Sequence, residues 1–151
     1  MSNYADKCLF PSGQHAKEML HGEQGGVSGS LAWSAWRAGL LALGMYLGGE
    51  RKGLLKKAAV GSLGVEALVV ACVAASDNPT LPSAQAAMAG DPLAILATYL
   101  TRSSVVAASL YLSGQREHVW RNALAGAAAV EASVLVWASH CRDSQPKFLP
   151  G

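Results

Sequence analysis

LAWSAWRAGLLALGMYLGGERKGLLKKAAVGSLGVEALVV, residues 31–70, aligns without a gap with LATYLTRSSVVAASLYLSGQREHVWRNALAGAAAVEASVL, residues 96–135. Fourteen of these 40 positions are identical, whereas a composition rich in Ala, Leu, Gly and Val gives about a tenth by chance. The identities include the lone charges of the apolar segments and one arginine of each connecting loop: Arg37/Arg102, Glu66/Glu131 and Arg51/Arg116. The sequence therefore predicts an internal repeat with an offset of 65 residues, whose unit is a helical hairpin.

The composition around this repeat is typical of a membrane protein. Of the 151 residues, 51% are hydrophobic and only 15% are charged, whereas ordinary soluble domains carry about 25% charged residues. The net charge is +2, which does not indicate a partner by its sign. This composition excludes a disordered chain and a basic nucleic-acid binder, and the length indicates one domain.

Four segments of the chain contain a single charged residue each: 24–49, 58–76, 92–115 and 122–141. Each is close to the roughly 20 residues that a helix needs to cross the hydrocarbon of a bilayer. We therefore expect an all-α fold class, an integral membrane four-helix bundle made of two tandem transmembrane hairpins, with spans at 29–48, 55–75, 92–113 and 119–140. Trp and Tyr favour the headgroup level, and six of them lie towards predicted helix ends: Trp33, Trp36, Tyr46, Tyr111, Trp120 and Trp137.

The chain divides at these spans. We expect a polar N-terminal arm (1–27) with a helical turn around 14–21, hairpin 1 (28–76), a turn-rich connecting loop (77–91), hairpin 2 (92–141) and an extended C-terminal tail (142–151). Because each unit crosses twice, both copies enter from the same face, so the repeat is parallel, with its axis along the membrane normal.

Basic residues indicate the orientation. The hairpin loops carry six, namely Arg51, Lys52, Lys56, Lys57, Arg116 and Arg121, and the opposite face carries four, namely Lys7, Lys17, Arg142 and Lys147. This bias places the loops in the mitochondrial matrix or the bacterial cytoplasm. There the six loop residues would contact anionic lipid headgroups or a partner protein.

The lone charges of the spans are matched in depth. Arg37 precedes Arg51 by 14 residues and Glu66 follows it by 15, which places both about 15–20 Å from the hairpin tip. An unpaired charge at the bilayer centre costs about 2.5–3.5 kcal/mol. We therefore expect two ion pairs, Arg37–Glu66 and Arg102–Glu131, each able to form two parallel hydrogen bonds. Exchange between hairpins, Arg37 with Glu131 and Arg102 with Glu66, fits the sequence equally well.

These charges have two interpretations. Ionisable groups inside a membrane are candidates for a proton or ion path. A proton carrier, however, needs a carboxyl group that can take up a proton, and a neighbouring arginine favours the ionised form. We therefore interpret the charges as structural ion pairs that fix the bundle. Small residues such as Gly44, Gly61, Gly64 and Gly126 would allow the close helix packing that membranes require.

The sequence offers no pattern for catalysis, metal or cofactor binding. The histidines (His15, His21, His118 and His140) provide no matched pair for a haem, and the cysteines (Cys8, Cys72 and Cys141) have no metal-site or disulfide spacing. No nucleophile–base pair and no phosphate-binding glycine loop is present.

The second hairpin resembles the hypoxia-induced-gene domain, a two-helix membrane hairpin with a basic loop found in respiratory supercomplex factors and cytochrome oxidase accessory subunits. The resemblance covers some 35 residues, from Leu100-Thr101 through Ser113-Gly114 and Val119-Trp120-Arg121 to Leu124 and Gly126, and extends to Gly48–Gly64. The loop is shorter here, Ala123 and Ala125 replace an arginine and a glutamine of the family, and Glu131 is outside its pattern. The resemblance implies an accessory role in the respiratory chain.

Val65-Glu66-Ala67, a carboxylate in the helix after a basic loop, is similar to the rotary-ATPase proteolipid. That resemblance implies a proton-carrying ring. Arg37 and Arg102 oppose it, because they would lie inside a ring whose glutamate must take up protons.

We expect a non-catalytic accessory or scaffold subunit of a multi-subunit membrane complex, with the respiratory chain favoured over other complexes. Its partners would be the lipid bilayer, a bound anionic lipid and other membrane subunits, without nucleic acid or cofactor. The mitochondrial inner membrane is favoured over a bacterial inner membrane. The alternative is a small homo-oligomeric proton or ion channel or transporter whose path is lined by the four intramembrane charges. A lipid-modifying enzyme comes third and would need polar residues converging at one interface.

The structural interpretation predicts that Glu66→Gln reduces assembly more than it reduces any ion transport, because the arginine loses its carboxylate partner. The yield of monodisperse protein in mild detergent measures assembly, and proton flux into liposomes measures transport. Normal assembly with lost flux would reverse the interpretation.

Overall fold

A computed structural model describes residues 11–77 and 81–144, without the side chains of residues 11, 12 and 142–144. Arm residues 1–10 and tail residues 145–151, with Lys7, Cys8 and Lys147, lie outside the described residues. The described part is all-helical, without strands. Its six helices are α1 (Pro11–Leu20), α2 (Gly26–Leu47), α3 (Leu54–Ser76), α4 (Pro82–Ala89), α5 (Pro92–Leu112) and α6 (Val119–Ser144).

The four long helices pack in a closed order. Helix α2 contacts α3 and α6, and α5 likewise contacts α3 and α6. The short helices lie outside this group, α1 against α2 and α3, and α4 against α5 and α6. Each long helix therefore packs against two other long helices and one short helix.

Three of the described helices are long and apolar enough to cross a membrane: α3, α5 and the segment Val119–Cys141 of α6. They correspond to the predicted spans 55–75, 92–113 and 119–140. The predicted span 29–48 falls on α2, which has 22 residues and a length of about 33 Å but is not among the three. Its glycines, serines and tryptophans, together with Arg37, lower its mean hydropathy.

The connecting segment 77–91, predicted as a turn-rich loop, contains the helix α4. Pro82 lies at the start of α4, where its fixed φ suits a helix and its missing N–H costs nothing. The start of α1 has a similar sequence, since Pro11-Ser12-Gly13-Gln14 matches Pro82-Ser83-Ala84-Gln85, and Ala16 and Ala87 are both buried. This match has an offset of 71 residues and therefore escapes the 65-residue alignment. At the other boundaries, α2 begins at Gly26 and α6 continues to Ser144.

The two hairpin loops have the same backbone conformation. Gly49 and Gly114 follow α2 and α5 with φ of 107° and 89°, values that favour glycine. The next amides, of Glu50 and Gln115, donate to the carbonyls of Met45 and Leu110, both at 2.9 Å. This is the Schellman arrangement, which satisfies carbonyls at the end of a helix.

Glycine allows the long helices to approach closely at two positions. A Cβ on Gly44 of α2 would overlap the backbone of Ala125 and Gly126 in α6. A Cβ on Gly64 of α3 would overlap the side chain of Ser109 in α5, the residue aligned with Gly44. Between these contacts lies the core, whose fully buried members include Leu41, Met45, Val106 and Leu110.

Candidate functional site

The four intramembrane charges predicted from the sequence meet in pairs within each hairpin. Arg37 Nη1 of α2 donates to Glu66 Oε2 of α3 at 2.9 Å, and the two side chains are 9% and 15% exposed. Arg102 Nη1 of α5 donates to Glu131 Oε2 of α6, and both of these side chains are 8% exposed. The exchanged pairing between hairpins is absent from the described residues.

Each pair is joined by one hydrogen bond, although a guanidinium is able to form two parallel ones with a carboxylate. The second carboxylate oxygens, Glu66 Oε1 and Glu131 Oε1, are buried and have no hydrogen-bond partner within the described residues. A guanidinium that approaches with one nitrogen leaves its other donors facing elsewhere. Arg37 also lines a cleft between α2 and α6.

A second polar centre forms around Glu50 in the first hairpin loop, which is only 6% exposed. Its Oε1 accepts hydrogen bonds from the backbone amides of Arg51 (2.9 Å) and Lys52 (3.0 Å). Its Oε2 accepts from Lys57 Nζ of α3 and from Asn122 Nδ2 of α6, both at 2.8 Å. The carboxylate therefore joins the loop of hairpin 1 to the first turn of the last helix.

The surroundings of Glu50 favour its charged form. The Lys57 ammonium, the Lys52 amide and the Asn122 side chain hold the pKa of this carboxyl well below its ordinary value, and burial opposes them only in part. Arg121 adds a further positive charge, with Nη2 3.7 Å from Oε2. Glu50 therefore stabilises the fold while it is ionised.

The sequence analysis missed Glu50, although a signal was present. Aligned positions change together between the two copies, since Glu50 and Lys57 of the first correspond to the neutral Gln115 and Asn122 of the second. Such paired replacement of a charged couple by a neutral one indicates contact. It also changes the interpretation of Lys57, which is 6% exposed and bound to Glu50 instead of available to lipid headgroups.

The other five basic loop residues, Arg51, Lys52, Lys56, Arg116 and Arg121, are exposed. Two of them stack on tyrosines at aligned positions, since the Arg51 guanidinium lies 3.9 Å from the Tyr46 ring centre and that of Arg116 lies 4.4 Å from that of Tyr111. Arg51 also donates to the Tyr46 carbonyl at 2.5 Å. Positive charge is thus held over aromatic rings at the loop end of each hairpin.

Histidine and acidic residues form small surface pairs at the opposite end. His15 Nδ1 lies 3.2 Å from Glu18 Oε2, and His21 Nε2 lies 3.2 Å from Asp77 Oδ1, which fastens α1 to the end of α3. Among the residues described, no group of three or more His, Cys, Asp or Glu side chains could hold a metal ion.

Comparisons with known proteins give no identity: no protein-family model, no curated protein and no solved structure matches the chain. The functional proposal therefore rests on the fold and on the polar contacts of the described residues.

The depressed pKa of Glu50 predicts a loss of stability in acid. The unfolded carboxyl takes up its proton as the pH falls through about 4.5 and the folded one does not, so lowering the pH below that value favours unfolding. We expect Glu50→Gln to lower the unfolding free energy at neutral pH by about 1–3 kcal/mol and to flatten its decline in acid. Thermal unfolding in mild detergent across this range measures both.

Glu23→Gln is the matched control, because Glu23 is exposed and belongs to none of the ion pairs found among the described residues. Its pH profile should follow that of the unchanged protein. Identical profiles for Glu50→Gln and the unchanged protein would contradict the role assigned to Glu50.

Proposed function

We propose that this chain is a non-catalytic, integral-membrane accessory subunit of a larger respiratory complex, built as a four-span bundle of two duplicated hairpins. In this proposal α2 is the fourth span. The Arg–Glu pairs hold each hairpin together, and the outer faces contact lipid and neighbouring subunits.

The observation that carries the proposal is the reversed distribution of polar and apolar side chains. Large apolar side chains are exposed along the long helices, including Leu47 (75%), Leu63 (63%), Leu93 (78%) and Leu112 (84%). Charged and polar side chains are buried between the helices, including Arg37, Ser62, Arg102 and Glu131. Helices whose exposed side chains are apolar and whose buried polar side chains are paired are suited to hydrocarbon or to a protein partner. They are not suited to water.

Charge at the two ends supports an orientation. The loop segments 48–57 and 113–121 carry six basic and two acidic residues. The segments assigned to the opposite end, 1–25, 77–91 and 142–151, carry four basic and six acidic residues. This contrast favours loops on the matrix side of the mitochondrial inner membrane, or on the cytoplasmic side of a bacterial one.

The accessory role rests on what the buried groups do. In each hairpin the arginine and the glutamate bind each other, and Glu50 binds Lys57 and Asn122, so these groups are used in holding helices together. The resemblance of Leu100–Gly126 to the hypoxia-induced-gene domain favours a respiratory complex over other membrane assemblies.

One observation favours a second candidate, an ion channel formed by several copies. Ser30 Oγ and Glu66 Oε1 in the first hairpin are buried without a hydrogen-bond partner among the described residues. Buried polar atoms of this kind are often satisfied by internal water. A line of water from Ser30 to Glu66 would provide the first part of such a path.

Native mass distinguishes the two candidates. We expect the tagged chain, expressed at its natural level and extracted in mild detergent, to migrate with other proteins in fixed stoichiometry, because its apolar faces are partner surfaces. Native electrophoresis followed by mass spectrometry measures this. The same chain overexpressed alone gives the control mass.

Migration of the naturally expressed chain only at multiples of 15.6 kDa, allowing for bound detergent, would contradict the accessory role and support the channel.

A further inference from the structure

Three of the four tryptophans of the chain lie around one cleft, between α2 and α6. Trp33 and Trp36 come from α2 and Trp137 from α6, and we name this space the tryptophan cleft. The sequence analysis placed these residues near helix ends, but Trp36 lies beside Arg37 at the middle of α2. The cleft volume of about 580 Å³ lies within the range of small-molecule sites, about 300–1,000 Å³.

Arg37 is the charged side chain from the middle of α2 that lines the tryptophan cleft, whose lining also includes Ser133 and His140. Its guanidinium is largely buried and gives Nη1 to Glu66, which is the hydrogen bond the described residues provide for it. Arg37 lines the cleft, and a guanidinium carries N–H donors besides the one given to Glu66. Because Glu66 already balances the charge, the site suits a neutral acceptor such as a carbonyl oxygen better than a second anion.

The aligned cleft between α3 and α5 provides an internal comparison. It contains Arg102, the counterpart of Arg37, but has Thr98, Thr101 and Cys72 at the positions of the three tryptophans. Its volume is about 290 Å³, half that of the tryptophan cleft, and the start of α4 forms part of its wall. Both clefts thus contain an arginine, and only the tryptophan cleft has aromatic walls and the larger volume.

The depth of Arg37 restricts the ligand. Arg37 is the twelfth of the 22 residues of α2, so it lies about 15–17 Å from either end of that helix. The phosphate of a phospholipid remains at the headgroup level and does not reach this depth. A ligand that brings an acceptor to Arg37 must therefore be apolar enough to dissolve in the hydrocarbon. The indoles favour a planar ring.

We propose that the tryptophan cleft binds a membrane-dissolved quinone. The ring lies between the indoles, a ring carbonyl accepts a hydrogen bond from Arg37, and the apolar tail leaves past Val136, which is 69% exposed. The proposal concerns binding and involves no electron transfer. It depends on the membrane placement but not on the accessory role, because the site lies within a single chain.

Photolabelling tests the site on the full chain in nanodiscs of phosphatidylcholine. The probe is a benzoquinone with a decyl tail that carries a diazirine, and mass spectrometry locates the labelled peptides. We expect saturable labelling at residues 33–40 and 129–140, which unlabelled decylbenzoquinone abolishes and decylbenzene, lacking carbonyl groups, does not.

Two substitutions replace a residue of the tryptophan cleft with the residue at the aligned position of the smaller cleft. Ser133→Leu fills the tryptophan cleft with the counterpart of Leu68, and Trp36→Thr removes one indole. Each should weaken labelling about tenfold or more, with circular dichroism and elution volume unchanged. Trp120→Leu is the matched control, because Trp120 lies outside the cleft and its counterpart is Leu55. It should label normally.

Several results would overturn the proposal. These are equal labelling of both clefts, displacement by decylbenzene as effective as by the quinone, or full labelling of folded Ser133→Leu and Trp36→Thr proteins. A failure of these experiments would leave the native-mass result unaffected, so the ligand site and the accessory role can fail separately.

Discussion

Charge placed midway along apolar helices is the constraint on which the rest of this structure depends. An unpaired charge at the bilayer centre costs about 2.5–3.5 kcal/mol, and this chain has four charged side chains midway along its long apolar helices. Arg37 with Glu66, and Arg102 with Glu131, neutralise one another inside their own hairpins. The pairing fixes which faces of α2 and α3, and of α5 and α6, meet. The small residues at Gly44 and Gly64 then allow the two hairpins to approach closely.

The two aligned segments have the same Arg and Glu residues between their helices. They differ in the loops and in the clefts. In the loops, the charged couple Glu50 and Lys57 has neutral counterparts, and one of these, Asn122, binds Glu50 across the boundary between the copies. In the clefts, an arginine is common to both, while the three tryptophans line one cleft only. The two aligned segments therefore share the Arg–Glu pairs, whereas the Glu50 contact and the larger cleft each occur once among the described residues.

Sequence patterns predicted much of this arrangement, for physical reasons. Long apolar segments interrupted by short basic loops identified the long helices, and equal spacing from the loops predicted that Arg37 and Glu66 reach the same depth. Depth alone could not show which arginine pairs with which glutamate, because all four charged residues were predicted at the same depth. Glu50 was missed because its burial depends on Asn122, 72 residues away. Helix α4 was missed because Asp77-Asn78-Pro79 and Pro82 are turn residues, and because its match to α1 has a different offset.

The most direct test of the central claim is a charge exchange measured by the yield of folded, monodisperse protein in mild detergent. Arg37→Glu alone should lower this yield sharply, because two glutamates then face each other between α2 and α3. Adding Glu66→Arg should restore it, since the exchanged pair meets in the same hairpin, and adding Glu131→Arg should not. Rescue by Glu131→Arg instead, or an unchanged yield for Arg37→Glu alone, would contradict the account.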